Sequence, residues 1–174
     1  MANTIGVPPS VECLADRAAI DDLLNLHSRG LDRQDVEAIR EAYWPDAEVD
    51  YGAYKGNAHI FAGLVVEALA GGYELTRHSL SNTLVSFFGG RALAESSVSA
   101  AHLLIGASEE MQFYGRYLDK LERRDGQWKL LHRQVVIDWS KRMPVQDERG
   151  SEGFKDMAKG AVGSADPLYD FLTQ

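Results

Sequence analysis

Two residues far apart in the chain, Asp32 and His78, are the side chains whose types and settings could do chemistry together. Asp32 sits in the text GLDRQD, between Leu31 and Arg33, where a long helical pattern gives way to a short one. His78 follows Arg77 in an isolated polar pair that comes after a Gly71-Gly72 break and opens a strand pattern. If the two meet in space they form an acid/base pair. Histidine, with an unperturbed pKa of about 6.5, is the side chain suited to act as a base near neutral pH. A carboxylate on its far ring nitrogen fixes the tautomer and stabilises the imidazolium that forms. General-base catalysis of this kind supplies on the order of 10² to 10⁴ in rate. Asp32 also has a purely structural reading. Aspartate is a favoured helix N-cap, and a second helix begins just afterwards at Asp35.

Two more polar residues fall among apolar ones. His27 shares a helix face with Leu23, Leu24 and Leu31, which reads either as a hydrogen-bonded core histidine or as a pocket residue. Arg133 shares a strand face with Val135 and Ile137. It is expected either in a pocket wall or paired with an acidic residue on a neighbouring strand or subunit.

The elements that must position these residues can be read from periodicity. Ser10, after Pro8 and Pro9, starts a helix that the apolar spacing carries from Val11 to about Arg29 or Gly30. A second helix is expected over 35–43, broken by Trp44-Pro45-Asp46, then a strand over 47–51 ending at Gly52. Asn57 caps a third helix over 59–70, stopped by Gly71-Gly72. The period then changes to two, giving long strands over 75–88, 92–105, 111–123 and 128–139, the last pair joined by an Asp125-Gly126 hairpin. Three helices followed by antiparallel strands predict an α+β domain, a curved sheet packed on helices, over residues 1–140. Residues 141–174 read as an extension with short helices over 154–161 and 167–172, lying over a pocket mouth or on a neighbouring subunit. The outer sheet face, with Leu118 and Leu130 or their neighbours, is expected to carry an apolar patch that favours a homo-oligomer.

Composition narrows the function classes. The 174 residues fit one domain, and a formal charge of −8 disfavours nucleic acid and anionic membrane surfaces as partners. The single cysteine, Cys13, allows no internal disulfide. The opening MANTIGVPPS lacks a basic, apolar leader pattern, and no apolar run is long enough for a membrane span, so a cytoplasmic location is expected. His27, His59, His78, His102 and His132 show neither metal-ligand spacing nor an HExxH text, and there is no phosphate loop or nucleophile elbow. No metal and no cofactor are expected.

The ordered texts ADRAAIDDLL, GLDRQD, WPDAEVDY, AYKG, TRH and ERRDGQWKL resemble the polyketide-cyclase-like (SnoaL-like) branch of the nuclear transport factor 2-like superfamily, over about residues 12–140. That branch includes hexachlorocyclohexane dehydrochlorinase and scytalone dehydratase. The resemblance implies a cone-shaped α+β barrel whose pocket is lined by helices and the concave face of the sheet. It implies Asp32 and His78 as a catalytic pair and Arg133 as a pocket arginine, with His27, Tyr51, His102 and Tyr117 lining the substrate site. Leu31 and Gly115 depart from the scytalone dehydratase pattern, which makes scytalone itself an unexpected substrate. The implied activity is a cofactor-independent lyase removing water, halide or a small carbon fragment from a compact hydrophobic, aromatic or alicyclic substrate. Elimination from carbon needs a base and stabilisation of the departing group, and donors such as Arg133 and Tyr51 would count for more in an apolar cavity than in water. An isomerase or cyclase using the same base, and a non-catalytic small subunit of a ring-hydroxylating dioxygenase, remain the alternatives. The resemblance further implies a trimer, with a dimer as the alternative.

Overall fold

A computed structural model of the protein describes residues 9–173; the arm expected over residues 1–10 lies, as far as Pro8, outside the described residues. Helix α1 (Val11–Arg33) leads into α2 (Val36–Glu41), strands β1 (Tyr43–Asp50) and β2 (Lys55–Asn57), and helix α3 (Ala58–Gly72). Four long strands follow: β3 (Tyr73–Phe88), β4 (Arg91–Leu104), β5 (Glu109–Arg124) and β6 (Gln127–Pro144). A single 3-10 turn (Gly163–Ala165) and a short α4 (Pro167–Phe171) close the chain. The six strands form one sheet in the order β2-β1-β6-β5-β4-β3, with β1 parallel to β6 and every other pair antiparallel. The expected α+β architecture, helices packed on a curved and mostly antiparallel sheet, is what forms.

Packing explains the layers. Ile20, Leu24 and Leu31 of α1, Ile39 of α2, and Phe61, Ala62 and Leu69 of α3 are buried against Val49, Val85, Leu121 and Leu130 of the sheet. Along β4, Ala92, Ala94, Ser96, Val98, Ala100 and His102 alternate inward, a mostly small-residue row that leaves room for helices on the concave side. The amphipathic face of α1 supplies the apolar area, and a side-chain tie from Trp128 Nε1 to Asp16 Oδ1 (2.9 Å) fixes its early turns on the sheet.

Several boundaries differ from the sequence expectation, each for a local reason. Helix α1 does not stop at Gly30. A Cβ there would stand 2.9 Å from Ile39 Cγ1, so the glycine serves the close approach of α2 instead of ending the helix. The end comes at Gln34, left-handed at φ 54, whose N–H reaches the Gly30 and Leu31 carbonyls. Asp32 is therefore inside the last turn of α1, and the N-cap of α2 is Asp35, whose carboxylate accepts from Ala38 N (3.0 Å). Residues 44–46 continue a strand across an irregularity between Tyr43 and Glu48, and the three-residue β2 was not expected. Residues 154–161 make turns and no helix. Leu130 is wholly buried and Leu118 half-buried, so the expected outer patch does not rest on them; exposed apolar side chains on the sheet include Leu84, Leu93 and Trp139.

The extension after β6 turns back across the molecule. Val145 N donates to Ser108 O, Arg149 pairs with Glu74 at the start of β3, Arg33 pairs with Asp166 (3.2 Å), and Tyr169 Oη donates to Asp35 Oδ2 (2.9 Å). The tail is thus fastened to the α1–α2 junction, directly beside Asp32. Among the described residues no helix is long and apolar enough to cross a membrane.

Candidate active site

Asp32 and His78 meet. The last turn of α1 runs beside β3, the strand at the end of the sheet order, whose outer edge has no strand neighbour among the described residues. His78 N consequently points away from the sheet and donates to both Asp32 oxygens, at 3.1 Å and 2.9 Å. His78 Nδ1 stands 2.7 Å from Asp32 Oδ1, and Thr76 Oγ1 donates to the same oxygen at 3.0 Å. A carboxylate can only accept, so this web places a proton on Nδ1, and the neutral form of the ring is the tautomer with Nε2 bare. Short bonds to an ionised acceptor are the strong kind, and four of them, from three donor groups, hold Asp32 in one orientation.

A cavity of about 730 Å³ opens on this pair. Its wall includes Asp32 and Arg33 from α1, residues 75–79 of β3, Ala101 and Leu103 of β4, and Val145, Asp147, Arg149 and Gly160 of the tail. Five consecutive residues of one strand can line a single cavity only where it wraps the strand's free edge, since successive side chains face opposite ways.

The remaining expected site residues lie in two places. His102 is beside His78, ring centroids 5.4 Å apart and nearly perpendicular, and Tyr73 packs on its other side at 4.8 Å. Its Nδ1 is buried with no hydrogen-bond partner among the described residues. Burial, then the nearby positive charge of a protonated His78, pull the His102 pKa down to about 4, so it is neutral at pH 7.

His27, Tyr51, Tyr117 and Arg133 form a separate, deeper cluster within the concave side and are not among the residues lining that cavity. Arg133 is completely buried; its Nε and Nη2 make a forked pair with Asp119 on β5, both at 2.7 Å, and its Nη1 meets His27 Nδ1 at 2.9 Å. The acidic partner on a neighbouring strand was one of its two expected settings; in this arrangement Arg133 reaches His27 and not the cavity. Burial opposes its charge, and the Asp119 carboxylate outweighs that, raising the guanidinium well above its ordinary pKa. Because arginine can only donate, His27 Nδ1 accepts and its Nε2 carries the proton, given to Tyr43 Oη at 3.1 Å. Burial and then the Arg133 charge push the His27 pKa well below normal. Tyr117 lies under the Arg133 guanidinium, 4.1 Å from ring centroid to Cζ, and burial raises its phenol. Tyr51 Oη is buried with no geometric hydrogen bond among the described residues, its pKa raised by burial and eased by Arg133.

Sequence reading missed Thr76, Asp119 and Tyr43. Thr76 had a signal, standing two residues before His78 and so on the same face of the strand. Among the described residues no group of three or more His, Cys, Asp or Glu side chains is placed to hold a metal ion.

Residues 12–134 match the family profile of the SnoaL-like domain. Hexachlorocyclohexane dehydrochlorinase 1 from Sphingobium indicum is 30% identical over 121 residues, 67% of this chain and 78% of the relative. The structure of a type 2 hexachlorocyclohexane dehydrochlorinase (LinA) superposes with a TM-score of 0.69 at 24% identity, covering 78% of this chain and 93% of the other. A scytalone dehydratase-like protein from Novosphingobium aromaticivorans gives 0.69 at 24% identity over 77% and 91%. The helix-and-sheet order and the profile match cover the same stretch, and they make this chain a member of the SnoaL-like family within the nuclear transport factor 2-like superfamily.

Proposed function

We propose that this chain is a cofactor-independent lyase that eliminates a small group from a compact hydrophobic substrate, with His78 as the base and Asp32 as its partner. The observation that carries the reading is the 2.7 Å contact of Asp32 Oδ1 with His78 Nδ1 at the wall of a 730 Å³ cavity. His78 Nε2 takes a proton from a substrate carbon, and the electron pair of that C–H bond forms the new double bond as the leaving group departs from the neighbouring carbon. The imidazolium is held by the Asp32 carboxylate, then returns its proton to a departing hydroxide, as water, or to solvent when the group leaves as halide. Leu75, Leu103, Val145 and Ala101 offer the body of the substrate an apolar wall. The dehydrochlorinase activity in the name of a 30% identical relative supports the same reaction class. Arg133, paired with Asp119, holds His27 in one orientation in the separate buried cluster and does not itself line the cavity.

The test is a screen of aryl diols, hydroxylated aromatics and halogenated alicyclics without added metal or nucleotide. For a compound that turns over, His78→Ala should abolish activity, and Asp32→Asn should lower kcat on the order of 10²- to 10⁴-fold with little change in KM. Turnover that survives His78→Ala within a factor of a few overturns the mechanism.

A further inference from the structure

We propose that Arg77, with Ser79 and Ser99, forms a subsite for a carboxylate carried by the substrate, an inference that rests on the cavity beside Asp32 and His78 being the substrate site. Six charged side chains line that cavity: Asp32, Arg33, Arg77, Glu110, Asp147 and Arg149. Five of them are engaged. Asp32 holds His78, Arg33 pairs with Asp166, Asp147 and Arg149 pair with each other, and Glu110 accepts from Gln112 Nε2. Arg77 has no hydrogen-bond or ion-pair partner among the described residues. Its guanidinium presents a planar fork that matches an oxyanion.

The surroundings of Arg77 are shaped for such a group. A side pocket of about 140 Å³ is lined by Arg77, Ser79, Ser99, Ala100, Ala101, Gln112 and Tyr114, and it shares Arg77, Ser79 and Ala101 with the main cavity. That volume is the room of roughly four or five waters. It admits an acidic group and leaves the body of the substrate in the larger space. Across the strands Arg77 faces Ala101, and Ser79 faces Ser99, so small residues keep the floor open while two hydroxyls offer donors. Two carboxylates in the wall, Glu110 and Asp147, accept from Gln112 and Arg149. Because the cavity follows the free edge of β3, a substrate lying along that edge reaches His78 on one side and Arg77 on the other.

Binding can be read without turnover, by following amide shifts of the full chain in NMR titrations with benzoate, with the uncharged isostere benzamide and with inorganic phosphate. Benzoate should bind about fivefold more tightly than benzamide, as suits a charge pair at a half-open site. Arg77→Gln should remove that preference, whereas Arg91→Gln, an equal charge change at the far end of β4, should leave it in place. The subsite is refuted by the absence of a preference, including failure of both probes to bind, or by a preference that persists in Arg77→Gln. Inorganic phosphate binding the same residues as tightly as benzoate also refutes it, since the pocket would then take a free oxyanion and not the acidic group of a substrate. A benzoate preference that depends on Arg77 in a protein with no lyase turnover removes the proposed reaction and keeps the subsite; turnover that depends on His78 without that preference does the reverse.

Discussion

Acidification from pH 7 to pH 5 should weaken the fold, and His102 supplies a calculable share. His102 is 7% exposed, with Nδ1 buried and lacking a hydrogen-bond partner among the described residues, and the His78 and Tyr73 rings packed on it. Burial first, and the charge of His78 second, lower its pKa from the ordinary 6.5 to about 4. Between those two values the unfolded chain binds a proton that the folded chain refuses. Stability is therefore greatest above pH 6.5 and falls as pH drops toward 4. For one group shifted by that much, the loss between pH 7 and pH 5 is about 2 kcal/mol. His27, whose pKa is also depressed, adds to the fall with the same sign. Carboxylates with lowered pKa values, such as Asp46, Asp147 and Asp166, lose their contribution at lower pH and do not confuse this window. Urea unfolding at pH 7, 6 and 5 reads the effect as a midpoint falling by roughly 1 M, taking a slope of about 2 kcal/mol per molar. His102→Gln changes packing at every pH, so the slope is the quantity to compare, and it should flatten by about 2 kcal/mol over the same interval. An unchanged pH slope in His102→Gln would show that the histidine is not held neutral by the fold and would refute the reasoning.

Two further outcomes follow from packing. Arg133→Met should cost about 3 to 5 kcal/mol, because it leaves the buried Asp119 carboxylate uncompensated, and adding Asp119→Leu should recover most of the loss; thermal unfolding of the single and double variants checks both signs. Gly30→Ala should destabilise by about 1 to 3 kcal/mol, since the new methyl meets Ile39 Cγ1 at 2.9 Å and Ile39 N at 3.2 Å; a stability equal to or above wild type would show that α2 can move aside.

How far the site could be read in the sequence depended on whether one period governed each residue's surroundings. His78 and Thr76 share a face of a regular strand, and that follows from alternation alone. Asp32 was harder, because Gly30 carried a stop signal that the fold uses for contact between α1 and α2. With the helix continuing to Arg33, the capping role passed to Asp35 and the Asp32 carboxylate was left free for His78. Arg133 shows a different limit. Counting back along the hairpin from Asp125-Gly126 pairs Arg133 with Leu118, an apolar neighbour that supports a pocket wall. A register shift between Lys120 and Leu121 moves the pairing by one residue and sets Asp119 opposite instead. Such a shift turns the facing side chain from one side of the sheet to the other, so it decides between an available cation and a buried pair. The shift has no turn residue to announce it in the sequence, and the parallel pairing of β1 with β6 is equally silent because it joins strands far apart in the chain. The fold class rests on helix and strand periods that recur over long stretches and tolerate a misplaced boundary. The chemistry rests on single contacts at a helix end and a strand edge, where one residue of slippage changes which groups meet.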